Sequence, residues 1–193
     1  MSDSTLKQPG CARFVFISRI SPKKNLPFAI RLLGTVSGKA TLDIYGPKED
    51  QRHWKTCQKE IDALPPHVSV NYCGAIASAE VPGTFAKYEF FLFPTFGENF
   101  GYVIYEALSV GIPVLLSDEV TPWEDLQKRM AGFLPPLNDL NAWKRALQFC
   151  VDCDLETYRV LAGNAYRYAR DVPSIEETKK AHREMFHRAI RMI

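Results

Sequence analysis

Two common phosphate-binding signatures are missing from this chain of 193 residues. No G-x-G-x-x-G follows the first predicted strand, so the tight backbone turn that receives a dinucleotide is lacking. No G-x-x-x-x-G-K-[ST] occurs either, which removes the P-loop class. An excess of one charge is also lacking. The net charge of +2 is too small for wholesale nucleic-acid binding, so phosphate recognition has to be local. No apolar run approaches a membrane span and no signal-peptide core follows Met1; the expected location is the cytoplasm. The cysteines (Cys11, Cys57, Cys73, Cys150, Cys153) are an odd, scattered set that gives no disulfide framework. The C-x-x-C of Cys150 and Cys153 has no second pair or histidine nearby and reads as packed thiols. His53, His67, His182 and His187 show no ligand or triad spacing, and no Asp-x-Asp pair is placed to hold a cation. No metal site is expected.

What is present suits one soluble α/β domain. Hydrophobic residues make up 46% and charged residues 24%, ordinary for a globular protein with a real core. Residues 1–12 are polar, carry Pro9-Gly10, and read as a tail or linker; residues 13–193 form the domain. Short apolar runs predict strands at Arg13–Ser18, Thr41–Tyr45, Val68–Cys73, Phe90–Pro94, Val114–Ser117 and Gly132–Leu134. Helical spacing predicts helices at Asn25–Leu33, Asp50–Leu64, Tyr102–Val110 and Pro122–Arg129. A shorter one over Ser78–Lys87 is broken by Pro82 and Gly83. Beyond residue 137 the pattern is all helix: Asn141–Val151, Leu155–Arg170, and a last one opened by the Ser174–Glu177 capping box. Strands alternating with helices imply a doubly wound, Rossmann-like parallel sheet of about six strands in the order 3-2-1-4-5-6, with C-terminal helices. In such a sheet a ligand sits beyond the C-terminal ends of strands 1 and 4, where the order reverses.

Both loops at that switch point carry chemistry. After strand 1 comes S-R-I-S-P-K-K-N, with Arg19, Lys23 and Lys24. After strand 4 comes T-F-G-E-N-F-G-Y, leading into a helix whose N-terminus favours an anion. Gly97 and Gly101 allow close backbone approach there. Glu98 stands in this loop. Glu106 interrupts the otherwise apolar helix Y-V-I-Y-E-A-L-S-V-G, where a buried carboxylate is costly without a partner. Ribose hydroxyls would satisfy it, and so would a structural ion pair with Arg19. Neither glutamate has a Ser, Cys or His beside it that would form a nucleophile–base arrangement. The plain alternatives are a solvated loop for Lys23 and Lys24, a surface acid for Glu98, and core positions for Trp54, Trp123 and Trp143.

The runs F-V-F-I-S-R-I-S-P-K-K-N-L and F-L-F-P-T-F-G-E-N-F-G-Y-V-I-Y-E-A-L-S-V-G-I-P-V-L resemble the C-terminal, donor-binding domain of retaining GT-B glycosyltransferases, the glycosyl transferases group 1 family. The resemblance covers about residues 13–137 and rests on the E-x7-E pair together with the R-x4-K loop. It implies a hexosyltransferase-type enzyme that moves a sugar from a nucleotide-diphosphate sugar to a glycan, lipid or small-molecule acceptor. Arg19 and Lys24 would bind the diphosphate and stabilise the leaving nucleotide. Glu98, with the backbone amides of Asn99, Phe100 and Gly101, would hold the donor sugar and a phosphate oxygen. Glu106 would bind the ribose hydroxyls, and the loop Gly74, Ala75, Ile76 would border the base. No cofactor or metal is implied, only the donor substrate.

Three departures from the family accompany the resemblance. Gly46 is followed by Pro47-Lys48, so the second glycine of the usual G-x-G is missing. Tyr102 stands where many relatives carry a smaller or different residue, which bears on the donor-sugar pocket. The family's N-terminal acceptor domain is expected to lie outside this stretch, which alone is expected to bind donor and transfer weakly or not at all. The final helix, from Ile175 to Ile193, carries a weak apolar stripe beside Lys179, Lys180, Arg183, Arg188 and Arg191. It is expected to be under-buried, because terminal helices in the family cross onto the acceptor domain. The full-length enzyme could associate peripherally with a membrane; nucleic acid is not an expected partner. Two alternatives stand beside this reading: a nucleotide-sugar epimerase domain of the same fold, and a stand-alone nucleotide-sugar-binding module.

Overall fold

The apolar runs become six parallel strands: β1 (Cys11–Ile17), β2 (Lys39–Tyr45), β3 (Val68–Gly74), β4 (Phe90–Phe93), β5 (Val114–Leu116) and β6 (Gly132–Phe133). Their order is β3-β2-β1-β4-β5-β6, the expected doubly wound sheet. The computed structural model describes residues 7–98, 101–119, 123 and 125–171. Central strands of a parallel sheet are covered on both faces and therefore read as unbroken apolar sequence. β4 is buried at every position and β1 nearly so. β2 alternates, and β3, on the edge, is largely exposed.

The helices are α1 (Leu26–Leu33), α2 (Gln51–Asp62), α3 (Val81–Phe85), α4 (Tyr102–Ser109), α5 (Leu140–Asp152) and α6 (Leu155–Asp171). Acidic caps set three of their starts, among them Asp154 before α6, which accepts from the Thr157 amide at 2.8 Å. The Asp50 carboxylate accepts from the Arg52 and His53 amides at 2.8 and 3.0 Å, and Asp139 accepts from Ala142 at 2.9 Å. Each cap supplies partners for helix N–H groups that have none within the helix. Around Ser78 a short 3-10 turn, Ser78–Glu80, runs into α3. Pro82 is tolerated there because the first turn lacks i−4 acceptors. Phenylalanines fill the sheet centre: Phe16 meets Phe93 edge-on at 5.6 Å and Phe85 meets Phe91 at 5.1 Å. Trp54, Trp123 and Trp143 are buried with them, as core positions.

Two expectations need correction. The tail does not run to residue 12, because β1 begins at Cys11. Lys7 is buried as well, its ammonium donating to the carbonyls of Gln8, Cys11 and Val151 at 2.8, 2.7 and 2.9 Å. These carbonyls compensate a buried cation that meets no carboxylate among the described residues, which a reading of polarity alone misses. The helix expected over Pro122–Arg129 is also not regular, since residues 125–130 are turns. Its amides reach back three residues (Leu126 to Trp123), four (Arg129 to Asp125) and five (Ala131 to Leu126), and Met130 closes it at φ 50°. The Ser174 capping box and the final helix lie outside the described residues.

One glycine joins the fold to the site. Gly46, at the end of β2, has φ 137°, and a Cβ there would lie 1.9 Å from the Ser18 carbonyl oxygen. The loops after β1 and β2 therefore touch through backbone, with the Ile20 amide donating to the Pro47 carbonyl at 2.9 Å. Gly46→Ala is expected to destabilise the domain by more than about 2 kcal/mol, since neither backbone can yield cheaply. Urea unfolding checks it; an unchanged midpoint would contradict the close approach.

Candidate functional site

The turn after β1 is built by its own sequence. Pro22 presets φ for a 3-10 turn, Pro22–Lys24, and Asn25 adopts φ 55°, a conformation Asn tolerates better than most residues. This turn folds Lys24 inward until its side chain is about nine-tenths buried. There its ammonium pairs with the Glu98 carboxylate and lies 5.4 Å from the Phe93 ring centre. A buried pair of this kind is costly to leave half-made.

Two hydroxyls fasten the loops around that pair. Thr95 Oγ1 donates to the Lys23 carbonyl at 3.0 Å, and the Phe96 amide donates to the same oxygen at 2.9 Å. Ser117, at the end of β5, donates to the Thr95 carbonyl. Both Thr95 and Ser117 are fully buried. The ends of β1, β4 and β5 thus form one hydrogen-bonded unit. Neither hydroxyl carries a role in the motifs, although each stands alone at the end of an apolar strand, which is a signal in the sequence itself.

Arg19 is placed differently. Its guanidinium is largely solvated, and a single nitrogen, Nη1, reaches Glu49 at 3.3 and 3.4 Å. It does not pair with Glu106, so the structural alternative for that glutamate is not what the chain adopts. Glu106 is half-buried on α4 beside the buried Ile104, Ala107 and Leu108. Desolvation pushes its carboxyl above the ordinary range, and among the described residues no group pairs with the carboxylate.

The remaining predicted residues frame this area. Gly101 caps α4 with φ 71°; a Cβ would meet Ile104 Cδ1 at 2.6 Å. Tyr102 is exposed at the start of the helix. Gly74 has φ 86°, and its carbonyl accepts from the Gly46 amide at 2.8 Å; Ala75 is exposed and Ile76 half-buried. Asn99 and Phe100 lie outside the described residues. Among the described residues no three His, Cys, Asp or Glu side chains gather as for a metal ion, and no helix is long and apolar enough to cross a membrane.

A doubly wound sheet with the Lys24–Glu98 and Arg19–Glu49 pairs in the loops beyond it, and with Glu106 unpaired among the described residues, defines the class: a Rossmann-like α/β domain. The family follows from comparison. The profile of the glycosyl transferases group 1 family matches residues 11–152, and the chain belongs to that family. A search of curated proteins found no match. Solved structures share the fold. HepE of Anabaena, crystallised with UDP and glucose, superposes with a TM-score of 0.77 at 21% identity over 92% of this chain and 48% of its own. Sucrose-phosphate synthase of Thermosynechococcus elongatus gives 0.73 at 20% identity over 96% and 47%. The catalytic domain of cholesterol-α-glucosyltransferase of Helicobacter pylori gives 0.67 at 18% identity over 83% and 98%. The chain thus spans about half the length of the first two.

The raised pKa of Glu106 has a stability consequence with a definite sign. A carboxyl whose pKa is higher folded than unfolded contributes stability below its unfolded value. That contribution is lost as pH rises through the folded one. Glu106→Gln is therefore expected to melt at a higher temperature than the parent at pH 7, and at about the same temperature near pH 3, below the ordinary pKa of an unfolded glutamate. Thermal melts across that range check it; a lower melting temperature at pH 7 would show that the carboxylate has a stabilising partner.

Proposed function

We propose that this chain is the donor-binding domain of a retaining glycosyltransferase, taking a nucleotide-diphosphate sugar whose sugar passes to a glycan, lipid or small-molecule acceptor. The observation that carries this reading is Glu106: a desolvated carboxylate without a described partner, one helix turn beyond the loop after β4, where a ribose could donate its hydroxyls. The family match supports it, and so does HepE, which was crystallised with UDP and with UDP-glucose.

In this reading Arg19 and Lys24 face the diphosphate. Glu98 holds the donor sugar, together with backbone amides of the segment from Asn99 to Gly101. Tyr102 borders the sugar, and the Gly74–Ile76 loop borders the base. The bond between the anomeric carbon and the phosphate oxygen breaks as the acceptor oxygen bonds to the same face. The acceptor proton passes to the departing phosphate. Growing phosphate charge is met by the two cations, whose stabilisation is worth most at the transition state. Acceptor binding and efficient transfer fall to a second domain, with which this one forms a cleft.

Titration calorimetry with a nucleoside diphosphate, its sugar conjugate and its 2′-deoxy analogue tests the assignment. Glu106→Gln should weaken diphosphate and conjugate alike, by about ten- to a hundred-fold, the size of a charge-assisted hydrogen bond to a hydroxyl. The parent should lose affinity for the 2′-deoxy ligand, while Glu106→Gln should lose little more, as two groups in contact behave. Losses that simply add would remove Glu106 from the ribose.

Binding is also metal-independent in this reading, because the positive charge comes from Arg19 and Lys24. A chelator should leave the diphosphate affinity unchanged. Loss of binding that Mn²⁺ or Mg²⁺ restores would count against it.

A further inference from the structure

Glu49 stands beside Arg19, and the chain fixes it there from both sides. Its predecessor, Lys48, has its ammonium 4.0 Å from the Trp54 ring centre and 3.6 Å from that of Tyr72, an aromatic clamp that holds a cation well. Its successor, Asp50, is committed to capping α2. Behind it, Pro47 is tied to Ile20 through backbone, and Gly46 lies against Ser18. The loop after β2 therefore presents Glu49 to the loop after β1 without freedom of its own.

The pairing it makes is poor. Arg19 offers five N–H donors in a planar fork that matches a carboxylate or phosphate with two parallel bonds. Here one nitrogen is shared between both oxygens of Glu49 at 3.3 and 3.4 Å, and both side chains are substantially exposed. Such a contact is weak and readily exchanged. Lys24, by contrast, is buried against Glu98, so its pairing resists exchange by solvent ions.

We infer that Glu49 is a positioning residue for the donor site: it parks the Arg19 guanidinium in the free domain and gives it up to the diphosphate, competing with the ligand for it. The inference rests on the proposed role of Arg19. Binding then includes breaking one exposed ion pair, and removing Glu49 removes that opposing step.

The test is a double-mutant cycle read by titration of UDP, with GDP as a second probe, into parent, Glu49→Gln, Arg19→Gln and the double variant. Glu49→Gln should bind the diphosphate about two- to five-fold more tightly, the range an exposed pair spans. Arg19→Gln should bind it about ten- to a hundred-fold more weakly, within reach of millimolar titrant. In the Arg19→Gln background the gain from Glu49→Gln should vanish. An equal gain in both backgrounds would make Glu49 only a background negative charge, and overturns the inference. Unchanged or weaker binding by Glu49→Gln also overturns it. A parent that binds neither diphosphate overturns the donor-site reading itself, whereas a binding parent without coupling between the two residues overturns only the role of Glu49.

Discussion

Where β1 meets β4 the chain reverses its winding, and the ladder between them is short. It pairs Phe14 with Phe90 and Val15 with Phe91, and goes no further toward the C-terminal ends. Beyond it, the strands are joined by the Lys23 carbonyl, which takes the Thr95 hydroxyl and the Phe96 amide together. Ser117 extends the link to β5. Connections leaving a parallel sheet in opposite directions open a crevice at that point. In this chain two buried hydroxyls, rather than a glycine-rich turn, set its shape.

The same constraint decides the electrostatics. Lys24 is carried into the crevice by a turn it cannot leave without unmaking Pro22–Asn25, so its charge requires a partner, and Glu98 supplies it. Arg19 sits outside the fastened region and keeps only a loose contact with Glu49. The two cations are thus held with different strengths within one loop. Glu106 is under the opposite condition: α4 buries half of it and no described group answers it. A folded protein tolerates an uncompensated carboxylate where another requirement outweighs its cost. In the proposed reading, that requirement would be a ribose hydroxyl pair of the donor.

The topology was legible from residue order because its signals are local. Unbroken apolar runs such as F-F-L-F, closed by Pro94, or V-L-L after Gly111 and Pro113, name buried parallel strands by themselves. Glu106 was legible for the same reason, as the one charge on an apolar helix. What escaped depends on partners distant in sequence. Lys7 looked like tail because its acceptors include the Val151 carbonyl, 144 residues away. The Lys24–Glu98 pair spans 74 residues and the Arg19–Glu49 pair 30; Arg19, Lys24 and Glu98 were visible, but neither Glu49 nor the two pairings were. The stretch around residues 125–130 has helical composition, yet its hydrogen bonds mix three spacings, and composition does not encode that choice.

The pairings change how the motif residues are weighed against one another. Read along the chain, Arg19 and Lys24 are equivalent cations and Glu98 and Glu106 equivalent acids. Folded, Lys24 and Glu98 neutralise each other within a site from which solvent is largely excluded. A ligand phosphate that engages Lys24 must therefore leave Glu98 with a new donor, and a sugar hydroxyl in the adjacent space would provide one. In the proposed reading, phosphate and sugar recognition would be coupled through that exchange: a bare diphosphate would strand Glu98 without its ammonium, while the sugar conjugate would not. Ribose recognition through Glu106, as proposed, would lack this coupling, since no described cation is shared with it. The E-x7-E spacing thus joins two acids of different physical character, one paired with a buried ammonium and one half-buried without a partner among the described residues.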